Sequence, residues 1–144
     1  MRKGFRRLLL SLVAALTITG AAATTASADT YCVGSVPMCT GVAFSGDGAG
    51  LQLALDAAAA SPSTPDRVLI GPGLYTSSSN YGFTYTDAAS DSIEIAGQGM
   101  STQLVNDNPS SQAGMQLTLN PASSVRDLKF GPITVPVSFY RDLV

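Results

Sequence analysis

Leu51-Gln-Leu-Ala-Leu-Asp-Ala-Ala-Ala-Ala60 leads into Arg67-Val-Leu-Ile-Gly-Pro-Gly-Leu-Tyr75, followed by Ile93-Glu-Ile-Ala-Gly-Gln-Gly99 and Thr102-Gln-Leu-Val105. In the first stretch Leu51, Ala54, Leu55 and Ala58 recur at three- and four-residue steps, which predicts a helix with one apolar face. Such a short helix is marginal in water, so packing must hold it. Asp47 precedes it at the positive end of the helix dipole, and Ser61-Pro62-Ser-Thr-Pro65 stops it. The remaining stretches are short β runs closed by glycine corners.

Working outward, residues 29–50 are glycine-rich and read as irregular. Residues 75–92 are polar and read as a long loop with one weak strand at Phe83-Thr-Tyr85. Met115-Gln-Leu-Thr-Leu119 alternates, with Met115, Leu117 and Leu119 on one face. Val125-Arg-Asp-Leu-Lys-Phe130 returns to β, and residues 133–139 hold a further short strand interrupted by Pro136. Val68, Ile93 and Leu117 start successive β runs at steps of 25 and 24 residues. That period predicts stacked coils of parallel sheet in an all-β fold rather than a sandwich.

Residues 1–28 do not belong to this pattern. Arg2, Lys3, Arg6 and Arg7 form a basic head, Leu8 opens an apolar run that ends at Ile18, and Ala26-Ser27-Ala28 offers small residues to a signal peptidase. The run is shorter than the roughly 20 residues that span a bilayer. A signal peptide cleaved before Asp29, and hence a secreted, extracellular protein, is expected. The mature chain would keep four basic and all ten acidic residues, a net charge of −6. An acidic chain with no basic cluster argues against nucleic acid and membrane partners.

Cys32 and Cys39 are the two cysteines, and in an exported chain an even pair reads as a disulfide. A zinc site would need two more ligands, and the chain has no histidine. The same lack excludes a Ser-His-Asp triad and a histidine base. No metal site is expected. Asn106-Asp107-Asn108 carries oxygen atoms suited to calcium but has the composition of a turn before Pro109.

The helix followed by Val68-Leu-Ile-Gly-Pro-Gly-Leu-Tyr75 resembles the opening of secreted right-handed parallel β-helix proteins, the pectin-lyase-like group. The next turn is matched by Ile93 to Gly99 with Thr102 to Val105, and a later one by Ser124-Val-Arg-Asp-Leu-Lys-Phe130. The resemblance implies a right-handed parallel β-helix (solenoid) of two to three coils with an N-terminal capping helix. It divides the chain into a signal peptide at 1–28, a disulfide-bearing loop at 29–49 and N-terminal coils at 50–144. It implies a truncated member, because the family stacks many turns.

Function follows in two versions. In the first the chain is a secreted protein without a complete catalytic site, structural or carbohydrate-contacting, with Glu94, Tyr81, Tyr85 and Arg126 as the candidate contact residues. Its partners are then a polysaccharide and a second copy, the latter through an uncapped last coil. In the alternative it is a polysaccharide lyase or hydrolase acting on acidic polysaccharide. Calcium (Ca2+) enters as cofactor only there, and no catalytic residues can be mapped onto this chain. Glu94 reads either as a catalytic carboxylate or as an ordinary solvent-facing strand residue. Asp87 and Asp91 join a site only if folding brings them together.

Overall fold

The computed structural model describes residues 28–61, 65–86, 92–111, 113–131 and, for their backbone, 138–141. The expected signal peptide lies outside these residues apart from Ala28. Asp87 and Asp91 also lie outside them, as does most of the strand expected over 133–139.

Residues 29–49, read as irregular, contain two strands, β1 (Thr30–Val33) and β2 (Val42–Phe44). Helix α1 (Gly48–Ala60) begins three residues before the periodic stretch. Asp47 is its N-cap, its Oδ1 accepting from the Gly50 amide at 2.7 Å and from the Ser45 hydroxyl at 3.0 Å. These two bonds, the amide first, hold the Asp47 carboxyl below its usual range. The buried face is Leu51, Ala54, Leu55 and Ala58, as the spacing predicts. Burying each leucine contributes about 1.5–3 kcal/mol, which is how packing rescues a helix of 13 residues.

Among the described residues nine strands follow: β3 (Asp66–Ile70), β4 (Gly73–Ser77), β5 (Phe83–Thr86), β6 (Ile93–Ala96), β7 (Thr102–Asn106), β8 (Met115–Leu119), β9 (Ser124–Arg126), β10 (Lys129–Phe130) and β11 (Ser138–Arg141). A 3-10 turn, Gly99–Ser101, leads into β7. The strands form three parallel sheets ordered β2-β1-β3-β6-β9, β10-β7-β4 and β11-β8-β5. From β3 to β8 each strand pairs with the strand three places further along the chain.

The all-β right-handed parallel β-helix of two to three coils is therefore corrected to a small α/β-type domain, which among the described residues has a five-stranded and two three-stranded parallel sheets plus one helix. Two findings carry the correction. The helix belongs to the core, its four buried apolar side chains joining Val33, Val68, Ile70 and Ile95 in one cluster. In addition, Val68, Ile93 and Leu117 do not share a column. Val68 faces Ile95, whereas Leu117 faces Tyr85 in a different sheet. The first step of about 25 residues joins neighbouring strands of one sheet, β3 and β6, but the second, to Leu117 on β8, crosses to another.

Inward columns are Tyr31-Val68-Ile95-Val125, Tyr75-Leu104-Phe130 and Phe83-Met115. Most of these residues are fully buried. Tyr75 carries the largest of the fully buried side chains, and its hydroxyl donates to the Gly71 carbonyl at 3.1 Å and the Val33 carbonyl at 3.4 Å. Burial, and then the charge of Asp47, raise its phenol pKa. Gly34 passes directly over that hydroxyl with φ +69°, and a Cβ there would lie 2.9 Å from it. Cys32 and Cys39 form the expected disulfide, with Cα atoms 6.1 Å apart.

Candidate functional site

Sequence reasoning named four contact residues, and the structure brings two of them together. Glu94 lies on the outer face of the five-stranded sheet, opposite Arg67 in the register. Arg67 Nε donates to Glu94 Oε2 at 2.6 Å, and Arg126 donates to Oε1 through Nε at 2.9 Å and a terminal nitrogen at 2.5 Å. Arg126 also reaches Asp127 Oδ2 at 2.5 Å. Parallel pairing makes this ladder: Arg67 on β3 is opposite Glu94 on β6, and Arg126 on β9, opposite Ala96, reaches Glu94 diagonally. The bonds from Arg126 and then Arg67 outweigh partial burial and hold the Glu94 carboxyl below its ordinary range. Both of its oxygens thus accept from guanidinium groups. A carboxylate so held is suited to charge pairing rather than to donating a proton as a general acid.

Tyr85 is buried in the core cluster at 4% exposure, so its ring is not presented to a ligand. It alternates inward with Phe83 on β5, and that two-residue step was the available signal. Tyr81 stands elsewhere, 47% exposed at the end of the loop between β4 and β5. There it borders a groove of about 520 Å³ between this loop and the exposed side of α1, with Gln52, Asp56, Ser77, Ser79 and Thr84 among its walls. Apolar surface makes up the larger part of the lining, serine and threonine hydroxyls and the Gln52 amide supply polar groups, and among the described lining residues Asp56 alone carries a charge.

The groove is built by hydrogen bonds the sequence did not disclose. Gln52 Nε2 donates to the Thr84 carbonyl at 2.9 Å and to Asp56 Oδ1 at 2.8 Å, while its Oε1 accepts from the Thr84 amide at 3.0 Å. The spacing of Gln52 and Asp56, one helical turn apart, was the readable hint. Ser79 closes the loop by donating to the Gly82 carbonyl at 2.5 Å.

Asn106 and Asn108, weighed as calcium ligands, support the same loop. Their Nδ2 groups donate to the carbonyls of Ser79 and Ser78, each at 3.0 Å. Their Oδ1 atoms accept from the amides of Asn108 and Ser110 at 3.0 and 2.9 Å, the bonds of Asx turns. Among the described residues no group of three or more His, Cys, Asp or Glu is placed to hold a metal ion. Among them, too, no helix is long and apolar enough to cross a membrane.

Comparison with protein-family models, with curated proteins and with solved structures found no match.

Proposed function

We propose that this chain is a secreted, non-catalytic protein that contacts carbohydrate through the groove beside α1. One observation carries the reading: an exposed tyrosine ring, Tyr81, borders a groove walled by serine and threonine hydroxyls and the side chains of Gln52 and Asp56. Sugars present apolar CH faces that pack on aromatic rings and hydroxyls that exchange hydrogen bonds, and this wall offers both. The volume lies within the range of small-ligand sites.

With one carboxylate and no cation among its described walls, the groove favours neutral or amine-bearing sugars over acidic ones. Secretion is supported by the leader-like residues 1–28, with Asp29 as the first mature residue, and by a disulfide, which persists in oxidising compartments.

The test is titration of the purified protein with neutral, amino and uronic-acid oligosaccharides, followed by calorimetry. Neutral or amino oligosaccharides bind, and Tyr81→Ala weakens them about tenfold. Binding confined to uronic acids, or binding indifferent to Tyr81→Ala, would overturn the assignment.

A further inference from the structure

The backbone nitrogen of Asp29 donates to Oδ1 of Asp66 at 3.3 Å. Asp66 opens β3 and is 2% exposed, so its carboxylate lies inside the protein while Asp29 and Ala28 lie at the surface. Asp29 is anchored by further bonds besides this one. Its carbonyl accepts from the Arg67 amide at 2.9 Å, which extends the β1–β3 ladder one residue beyond Thr30. Its Oδ2 accepts from the Ser61 hydroxyl at 3.1 Å, at the C-cap of α1. These anchors hold its nitrogen toward Asp66.

We propose that removal of residues 1–28 turns this nitrogen into an α-ammonium that forms an ion pair with the buried Asp66 carboxylate. Maturation then locks the first strand into the five-stranded sheet. The inference rests on the reading of residues 1–28 as a cleaved leader.

An amide offers Asp66 one neutral donor. An ammonium offers three donors and a full charge, and charge-assisted bonds are roughly twice as strong as neutral ones. The surroundings favour a cation. Asp66 and Arg67 come from β3, with the Arg67 guanidinium turned to Glu94; the Asp29 carboxylate and the Tyr31 phenol come from β1. The last turn of α1 carries no basic residue, and its negative dipole end adjoins Ser61. On the β2 side Thr40, Gly41 and Val42 are uncharged and leave a cleft of about 440 Å³ next to Asp29.

The sign of the pH dependence follows. An unpaired α-amino group titrates at about 7.7–8.0, and pairing with a carboxylate raises that value. The stabilisation is complete below about pH 8 and disappears as pH rises through the raised value.

The experiment exports the full chain from a secreting host and reads its N-terminus by intact mass. It then compares thermal unfolding of the chain beginning at Asp29 with one that retains Ser27 and Ala28 ahead of it. The chain beginning at Asp29 unfolds about 5 °C higher at pH 7. That gap closes at alkaline pH and also in the Asp66→Asn background. An exported chain that begins elsewhere than Asp29 overturns the leader reading and the inference with it. Equal unfolding temperatures for the two chains at pH 7 overturn the ion pair alone, and this arm holds even where Asp66→Asn fails to fold.

Discussion

Gln52 and Thr84 are joined by a reciprocal pair of hydrogen bonds, side-chain amide to backbone, at 2.9 and 3.0 Å. Thr84 lies on β5, the outer strand of its sheet, so the helix side chain occupies the place of a further strand. Unpaired strand edges recruit other chains, and here a single glutamine covers one while it shapes the groove.

Gln52→Leu removes both bonds without shortening the helix and leaves the amide and carbonyl of Thr84 to water. The expected cost is about 1–3 kcal/mol in urea unfolding, together with faster aggregation. Unchanged stability and solubility would show that this edge needs no cover.

Glu94→Gln removes the anion shared by Arg67 and Arg126. The loss at neutral pH is on the order of 1 kcal/mol, because these are surface pairs organised as a network. Since the folded carboxyl titrates below its ordinary value of 4.5, its contribution is fully present above that value. It is lost as pH falls through the depressed one. Stability curves of the two proteins therefore converge in acid; a constant gap from pH 7 to pH 2 contradicts the mechanism.

Tyr75→Phe deletes a buried hydroxyl that donates to the carbonyls of Gly71 and Val33. About 1 kcal/mol should be lost at pH 7. The phenol titrates above 10.0 when folded, so the folded state favours its neutral form. Its contribution holds below pH 10 and falls as pH rises through the raised value. Alkaline unfolding of the parent protein should accordingly be steeper than that of Tyr75→Phe, as followed by circular dichroism.

Replacing Cys32 and Cys39 together by serine opens a loop of sequence separation 7. For so short a loop the cost is about 2 kcal/mol, the low end for native bridges. Reduction of the parent protein should lower its unfolding temperature to that of the double variant.

How legible all this was depended on the range of the interaction. The helix face showed because Leu51, Ala54, Leu55 and Ala58 repeat within a few turns. Strands β3, β6 and β8 showed because each alternates two or more inward apolar residues. β4 did not, since Tyr75 is its one fully inward residue and Leu74 beside it is 60% exposed. β1 was hidden because it is four residues long and lies in a glycine-rich stretch, 29–50, that read as irregular. Of the groove, the sequence offered Tyr81 and the composition of its loop, but not the glutamine that ties helix to strand.

By itself the sequence determined what was local: the amphipathic helix with Asp47 ahead of its positive end, the inward alternation along the short strands, and the partnership of the two cysteines. Tertiary structure decided register, and with it everything that depends on residues about 30 apart. Leu117 faces Tyr85 rather than Ile95, Glu94 lies between Arg67 and Arg126, and Asp29 reaches Asp66. Alternation tells which side chains point inward, but a parallel strand finds its neighbour only when the intervening chain has folded back. The periodicity of single strands carries no record of that choice.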